Sequence, residues 1–229
     1  MATGAPIRIN TVPLRMTMTA DILTLSQLLS PSFPVGAFAY SHGLETAICD
    51  GRIVSAPTLR SWLMDLLEHG GAQSDALLLN AAFGSAEDAV QTVDAHARAF
   101  AASAERLRET DLQGAAFCQT VQAVWGLELG RLCYPVAVGR AAATLALDPE
   151  LTTALYLQAF IANLTAAAMR LVPLGQVDGQ KTQIALKQQC AAIAKQFRGA
   201  TLDGLHNSAW MSDITSMRHE TQYSRVFRT

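Results

Sequence analysis

The sequence predicts an all-α protein, a single domain of nine or ten helices joined by short loops in a bundle-like arrangement. From Asp21 onward, apolar residues recur at the three- and four-residue spacing of amphipathic helices. The sequence lacks the alternation of β-branched and polar residues that is typical of a strand. The composition does not shift in a way that would mark a domain boundary, and 229 residues are enough to bury one large core.

The first three helices are predicted from their apolar faces and their ends. The first ends before Pro31, and the second has Pro57 in its opening turn and Gly70 just past its end. Ser85 and Asp88 have the spacing of a capping box and predict the start of the third. The apolar faces comprise Ile22, Leu25, Leu28 and Leu29, then Leu59, Trp62, Leu63, Leu66 and Leu67, then Val90, Val93, Ala97 and Phe100.

One of the later helices resembles a membrane-spanning segment in its length and its lack of charge. Residues 151–169 carry no charge and approach the length that spans a bilayer, but they contain threonines, Gln158 and Asn163, which insert poorly. We therefore expect a core helix that is buried on nearly all sides. It lies between a short alanine-rich helix after Tyr134-Pro135 and a helix that follows it. Two apolar faces flank this region: Gly114, Phe117, Cys118, Val121, Val124 and Trp125 before it, and Leu186, Cys190, Ile193 and Phe197 after it.

Composition excludes several classes of function. A net charge of −2 and a pI near 6.2 provide no basic face for nucleic acid, so we expect no nucleic-acid partner. The four cysteines (Cys49, Cys118, Cys133 and Cys190) have no zinc or redox spacing and indicate a reducing compartment. The first twenty residues lack the apolar run of a signal peptide, which predicts a cytoplasmic protein with no membrane association.

A search for catalytic motifs predicts that the protein is not an enzyme. None of the five histidines forms an HxxxH or HExxH pair, and the sequence contains neither a phosphate-binding GxxxxGK[ST] loop nor a GxSxG nucleophile motif. We therefore assign no catalytic residue, no metal ligand and no tightly bound cofactor.

Two segments stand out from this background, and the first is residues 30–45. Its prolines and glycines fix turns, and its aromatic residues cluster on a loop that leads into a helix. One interpretation is a hydrophobic loop folded onto the core. Alternatively, His42 and Glu45, three residues apart, share a helical face as metal ligands, as a hydrogen-bonded pair or as a partner-facing edge.

The second segment is the C-terminus, residues 212–229. It is net positive and rich in the Arg, Tyr, Met and Phe residues that anchor interfaces. It is interpreted either as a final helix packed on its own domain or as a partner-docking tail. The predicted organisation is thus a disordered extension over residues 1–20, a helical domain over 21–211 and a docking tail over 212–229.

Five ordered segments identify the chain as resembling the UreF family of urease accessory proteins. Residues 28–45 (LLSPSFPVGAFAYSHGLE) are similar to the first signature of that family, which reads close to SPxxPVGxFxYSxGLE. Residues 170–176 (RLVPLGQ), followed by Gly179-Gln180, resemble the second, and residues 216–225 (SMRHETQYSR) resemble the C-terminal one. Residues 109–114 and 134–139 fit in order between them, so the resemblance runs from about Ile22 to Arg228.

The resemblance implies an all-α, non-catalytic scaffold that forms a homodimer. Such a scaffold binds the accessory protein UreD (UreH in some systems) and recruits the GTPase UreG. The assembly delivers Ni²⁺ to apo-urease, so nickel is handled by the complex. The alternatives are a direct nickel carrier, which calorimetry with Ni²⁺ would test, and a GTPase-activating regulator of UreG that inserts an arginine.

The resemblance also implies where partners bind. The C-terminal run is the expected contact with UreD and is expected to become ordered on binding, and Tyr40 and Arg170 match positions associated with the dimer and with GTPase recruitment. Arg170 has a structural alternative as an ion pair or a helix-end cap. Removing Ser216 onward is expected to abolish UreD binding without unfolding the domain. The full set of predicted partner-binding residues is Tyr40, His42, Glu45, Arg170, Gln176, Ser216, Arg218, His219, Glu220, Tyr223 and Arg225.

Overall fold

The fold, a computed structural model that describes residues 18–228, consists of α-helices and three single-turn 3-10 helices, with no strand in that range. The all-α prediction, with nine or ten helices, is therefore confirmed for this part of the chain. The ten α-helices are α1 (Met18–Leu28), α2 (Leu44–Cys49), α3 (Ala56–His69), α4 (Gly71–Gly84), α5 (Val90–Ala99), α6 (Ala104–Trp125), α7 (Tyr134–Thr144), α8 (Pro149–Leu171), α9 (Gln176–Gln196) and α10 (Trp210–His219).

The N-terminal extension predicted over residues 1–20 lies almost entirely outside the described residues. Its last three residues belong to α1, which begins at Met18. The predicted start of the helical domain at Asp21 is thus a few residues late, because Met18, Thr19 and Ala20 precede the first acidic residue of the helix but are already helical.

The core is built around α4, α7, α8 and α9. Helices α4 and α7 pack side by side, and a methyl group at Gly139 of α7 would collide with the backbone carbonyl of Leu79 in α4. Helix α8 packs on α9 along its length and also contacts α4, α2 and α7. Small residues at these crossings let the helix backbones approach closely, which explains why an alanine-rich sequence forms a dense core.

Helix α8 corresponds to the predicted core helix. It is the one helix among residues 18–228 that is long and apolar enough to span a membrane by composition, and half of its apolar window is buried within the protein. Two of its buried threonines are hydrogen-bonded within the fold: the Thr152 hydroxyl donates to the Asp148 carbonyl, and the Thr153 hydroxyl donates to the Pro149 carbonyl and lies 2.9 Å from the Asn80 amide nitrogen. The helix therefore packs as a core element, although the buried Thr165 hydroxyl has no hydrogen-bond partner among the described residues.

The local predictions at the ends of α3 are confirmed, whereas those at Ser85 and at three apolar-face residues are wrong. Helix α3 has Pro57 in its first turn and is followed by Gly70, as predicted. Ser85, however, ends α4, and its hydroxyl donates to the Ala81 carbonyl at 2.6 Å, so it does not cap α5 with Asp88. A capping box occurs at the start of α3, where Ser55 pairs with Thr58. Three residues assigned to apolar faces are exposed: Ile22, Phe100 and Val124.

The C-terminal part of the chain folds back onto the domain. Helix α10 packs against α2 and α6, and Phe227 lies in the hydrophobic core. The boundary predicted between residues 211 and 212 falls inside α10, which begins at Trp210. Residues 210–228, hereafter the C-terminal segment, are thus structurally continuous with the domain in this conformation.

Candidate functional site

The two segments that the sequence singled out lie against each other. Residues 30–45, hereafter the signature loop, end in Glu45 at the start of α2. The two carboxylate oxygens of Glu45 accept hydrogen bonds from the backbone N–H groups of Val226 (2.7 Å) and Phe227 (2.9 Å). The N–H of Arg228 donates to the Ala39 carbonyl at 2.8 Å. The signature loop therefore binds backbone N–H groups at the end of the C-terminal segment, through the Glu45 carboxylate and the Ala39 carbonyl.

Gly43 brings α10 into direct contact with the signature loop. Its φ of +73° lies in the left-handed region. A Cβ at this position would lie 2.6 Å from the Ser216 backbone nitrogen and 2.7 Å from the Thr215 hydroxyl. Glycine is thus required both by the backbone conformation and by the close approach of α10.

His219 lies fully buried between two carboxylates from different helices. Its Nδ1 is 2.7 Å from a Glu105 oxygen at the start of α6, and its Nε2 is 3.3 Å from a Glu45 oxygen. The other oxygen of Glu105 accepts from the Arg225 guanidinium at 2.6 Å. This cluster connects α2, α6 and the C-terminal segment, and such buried charged groups are stable only when paired.

Three further polar contacts join residues 216–220 of the C-terminal segment to the domain. The Ser216 hydroxyl is 2.7 Å from that of Ser103, and Glu220 accepts from the Ala104 N–H at the N-terminus of α6, where a negative charge is favoured. Arg218 forms a two-pronged ion pair with Asp50, at 2.6 and 3.2 Å. Each contact joins the segment to the domain.

These contacts argue against the expectation that removing Ser216 onward would leave the fold intact. The deletion would empty the core position of Phe227 and leave the buried Glu45 carboxylate without its N–H donors. Losing a buried aromatic side chain alone costs about 3–5 kcal/mol. We therefore expect the deletion to destabilise the domain, and point variants are needed to test docking.

Helix α10 has the reverse of the usual amphipathic arrangement, an inverted polarity in which the polar face is buried and the apolar face is exposed. Its buried face is polar and carries Ser212, Thr215, Ser216 and His219. Its outward face is apolar: Trp210 is 73% exposed, Ile214 46% and Met217 51%. Tyr223 and Val226, further along the segment, are also largely exposed. We call these five exposed side chains (Trp210, Ile214, Met217, Tyr223 and Val226) the docking face.

His42 and Glu45 do not form the predicted pair. His42 has a left-handed φ of +53° and precedes α2, so the helical three-residue relationship does not apply. Its Nε2 contacts Glu109 at 2.9 Å, and its ring packs on Phe160, with the ring centroids 4.7 Å apart. The two residues therefore serve different contacts, one in the interior and one with the C-terminal segment.

Behind His42 lies a buried ionic cluster. Arg106 contacts Asp75 at 2.7 Å and Glu109 at 3.3 Å, and the Tyr156 hydroxyl donates to Asp75. Burial alone would lower the pKa of Arg106, but the carboxylates of Asp75 and Glu109 raise it above its ordinary value. Arg106 therefore stays charged, and the cluster ties α4, α6 and α8 together beneath the signature loop.

The other predicted partner-binding residues differ in accessibility. Tyr40 is buried, whereas Arg170 and Gln176 are exposed at the end of α8 and the start of α9. The Arg170 guanidinium lies 6.0 Å from the ring centroid of Phe227, a cation–π contact. Among the described residues Arg170 forms no ion pair and no hydrogen bond to a helix-end carbonyl, so neither structural alternative for it is observed.

Helix α8 also forms hydrogen bonds with the signature loop. The Asn163 amide donates to the Ala37 carbonyl at 2.9 Å and approaches that of Tyr40 at 3.4 Å. Sequence reasoning missed Asn163, Glu105 and Phe227, because a single polar or aromatic residue in a helix or tail carries no local signal of its distant partner. The apolar stripe of α10 is visible in the three- and four-residue spacing of Trp210, Ile214 and Met217, but its outward orientation is not.

The described part of the chain contains no group of three or more His, Cys, Asp or Glu side chains arranged to hold a metal ion. The buried His219 faces two carboxylates, but these accept from backbone N–H groups and from Arg225. The arrangement can hold a peptide segment in place and present an apolar surface.

Comparison with known proteins assigns the chain to a family. The UreF family profile matches residues 53–187. A protein named urease accessory protein UreF in Roseobacter denitrificans is 51% identical over 216 residues, covering 94% of this chain and 97% of its own length. Proteins of the same name in Ruegeria pomeroyi (49% identical; 91% and 97% covered) and Rhodopseudomonas palustris (41% identical; 98% of both) also align. The chain therefore belongs to the UreF family.

Proposed function

We propose that this chain is a non-catalytic scaffold of urease maturation that binds UreD (UreH in some systems) through the docking face. The observation that carries the proposal is the inverted polarity of α10, whose apolar side chains point away from its own domain. Exposing Trp, Met and Tyr side chains together has no benefit for the isolated domain, and such residues are typical anchors of protein interfaces.

The buried residues of the site support this role indirectly. Glu45, Ser216 and His219 are enclosed within the domain and hold the C-terminal segment in place. His42 belongs to the ionic cluster beneath the signature loop. Because the segment is held in advance, a partner that binds it has a smaller ordering penalty to overcome. Arg218, Glu220 and Arg225 are exposed at the margin of the docking face, and each also contacts the domain, so a partner would bind beside these contacts.

The GTPase UreG is recruited, in this proposal, next to Arg170 in a homodimer of the scaffold. Support comes from the family membership and from the exposure of Arg170 and Gln176 on the surface that follows α8. Tyr40 is buried and acts by shaping the signature loop. Nickel is cargo of the whole complex, delivered to apo-urease, and the scaffold holds no tightly bound cofactor. This activity belongs in the cytoplasm and involves neither nucleic acid nor a membrane.

The test is size-exclusion chromatography with light scattering on the chain mixed with its cognate UreD, then with the GTPase. The wild-type chain is expected to form a stable complex, and Met217→Asp is expected to lose it. Val124→Asp is the matched control, because Val124 is exposed to a similar degree on α6. Equal binding by both variants, or equal loss, would contradict the proposed docking face.

A further inference from the structure

All three lysines of the chain lie on one exposed face of α9. Lys181, Lys187 and Lys195 are exposed, whereas the opposite face of the helix packs against α8 and α3. The buried face consists of Gly179, Thr182, Leu186, Cys190, Ile193 and Ala194. A chain with a net charge of −2 thus concentrates all of its lysine side chains on a single helix surface.

An apolar line runs between these lysines. Val177 is 66% exposed and Ile184 72% exposed, and Ala191, also exposed, continues the line. The three residues are seven positions apart, so they stay on one side of the helix with a drift of about 20° per heptad. Lys181 and Lys195 each lie four positions after a residue of this line, and Lys187 lies three positions after Ile184.

The lysines are not used within the domain. No ion pair of Lys181, Lys187 or Lys195 occurs among residues 18–228, whereas Arg198, one turn beyond, pairs with Glu150 at 3.4 Å. A seven-residue apolar repeat flanked by like charges is the pattern by which one helix packs along another whose flanking residues have the opposite charge. Asp178 is the one acidic residue in α9, and it lies at the N-terminal edge of the helix.

We propose that the outer face of α9 is a second docking surface, which binds an amphipathic helix of a partner protein with acidic residues beside its apolar line. A second copy of this chain is disfavoured as the occupant, because the lysines would face lysines. An anionic membrane is also disfavoured, because the exposed apolar residues of this face are only Val, Ile and Ala, with Gln180 and Gln188 among them. This inference is independent of the docking face on α10, so its failure would leave the proposed function standing.

The test uses a synthetic helical peptide of about 21 residues, or three heptads, with leucines on its apolar line and glutamates beside it. Binding to the full-length chain is followed by fluorescence anisotropy, and the bound region is mapped by hydrogen exchange. A second peptide of the same design, with lysines in place of the glutamates, is the matched probe. We expect the acidic peptide to bind and to protect residues 176–196, and the basic peptide to bind at least about tenfold more weakly.

Variants of the chain distinguish peptide binding that depends on the lysine charges from nonspecific apolar binding. The triple variant Lys181→Glu, Lys187→Glu, Lys195→Glu is expected to lose the acidic peptide and to gain the basic one. The triple arginine variant at the same positions is expected to keep wild-type binding. Far-UV circular dichroism and thermal melting establish that the variants fold.

Three results would overturn the inference. One is equal binding of the acidic peptide to the wild-type chain and to the glutamate variant. Another is hydrogen-exchange protection outside α9. The third is capture of the chain by phosphatidylserine–phosphatidylcholine vesicles that is as strong as peptide binding and is lost in the glutamate variant, which would assign the face to a membrane.

Discussion

Replacing Gly43 with alanine tests whether the close contact between the signature loop and α10 holds the C-terminal segment. The new Cβ would lie 2.6 Å from the Ser216 nitrogen and 2.7 Å from the Thr215 hydroxyl, so α10 must shift or the loop must deform. The left-handed backbone costs a non-glycine residue about 1–2 kcal/mol. Overpacking against a fixed backbone adds about 1–3 kcal/mol. We therefore expect Gly43→Ala to lower the free energy of unfolding by about 2–5 kcal/mol.

Gly199→Ala is the matched control for this variant. Gly199 has the same φ of +73°, but a Cβ there would meet no atom within 4 Å. The free energy of unfolding of Gly199→Ala should fall only by the cost of the left-handed backbone, about 1–2 kcal/mol. Urea denaturation measures both losses, and hydrogen exchange reports which helices open. Gly43→Ala should increase exchange in α10 first. Equal losses in the two variants, with α10 exchange unchanged, would show that the contact between Gly43 and α10 does not hold the C-terminal segment.

Three further predictions concern single side chains. Glu45→Gln should lower the free energy of unfolding by about 1–3 kcal/mol in urea titrations, because one of the two backbone N–H donors would face an amide NH₂ group. Tyr223→Ala should change stability by less than about 0.5 kcal/mol, since the side chain is fully exposed, yet weaken UreD binding in calorimetry. Hydrogen bonds from Arg131 and Arg98 lower the pKa of Asp111 below its ordinary value of 3.8. Its stabilising effect is therefore present above that value and is lost as the pH falls below it. Asp111→Asn should lower the free energy of unfolding at neutral pH, and that free energy should then fall less steeply as the pH is lowered below 3.8. An unchanged fall in stability at acid pH would contradict this prediction.

The helices were predictable where sequence and local chemistry agree. Pro57 and Gly70 mark the ends of α3 because proline fits a first helical turn and glycine follows a last one. The prediction at Ser85 was wrong because its hydroxyl bonds back to the Ala81 carbonyl and so ends α4. Spacing alone does not decide between a hydroxyl that begins one helix and one that closes the helix before it.

The candidate site was predictable in its segments but not in its contacts. Both singled-out segments meet in the structure, yet the pairing of Glu45 with backbone groups near Phe227 joins positions far apart in sequence. A local pattern suggested His42 as the partner of Glu45, and the left-handed turn at His42 prevents that pairing. The interpretations of the C-terminus as a packed helix and as a docking tail are compatible, because α10 packs with its polar face inward.

The most direct test of the proposed docking face is a hydrogen-exchange comparison of the full-length chain alone and in complex with UreD. We expect added protection in residues 210–226, which carry the docking face, and little change in the buried helices α4 and α7. Complex formation without added protection in that segment, or with protection confined to other helices, would contradict the claim that α10 presents the UreD-binding surface.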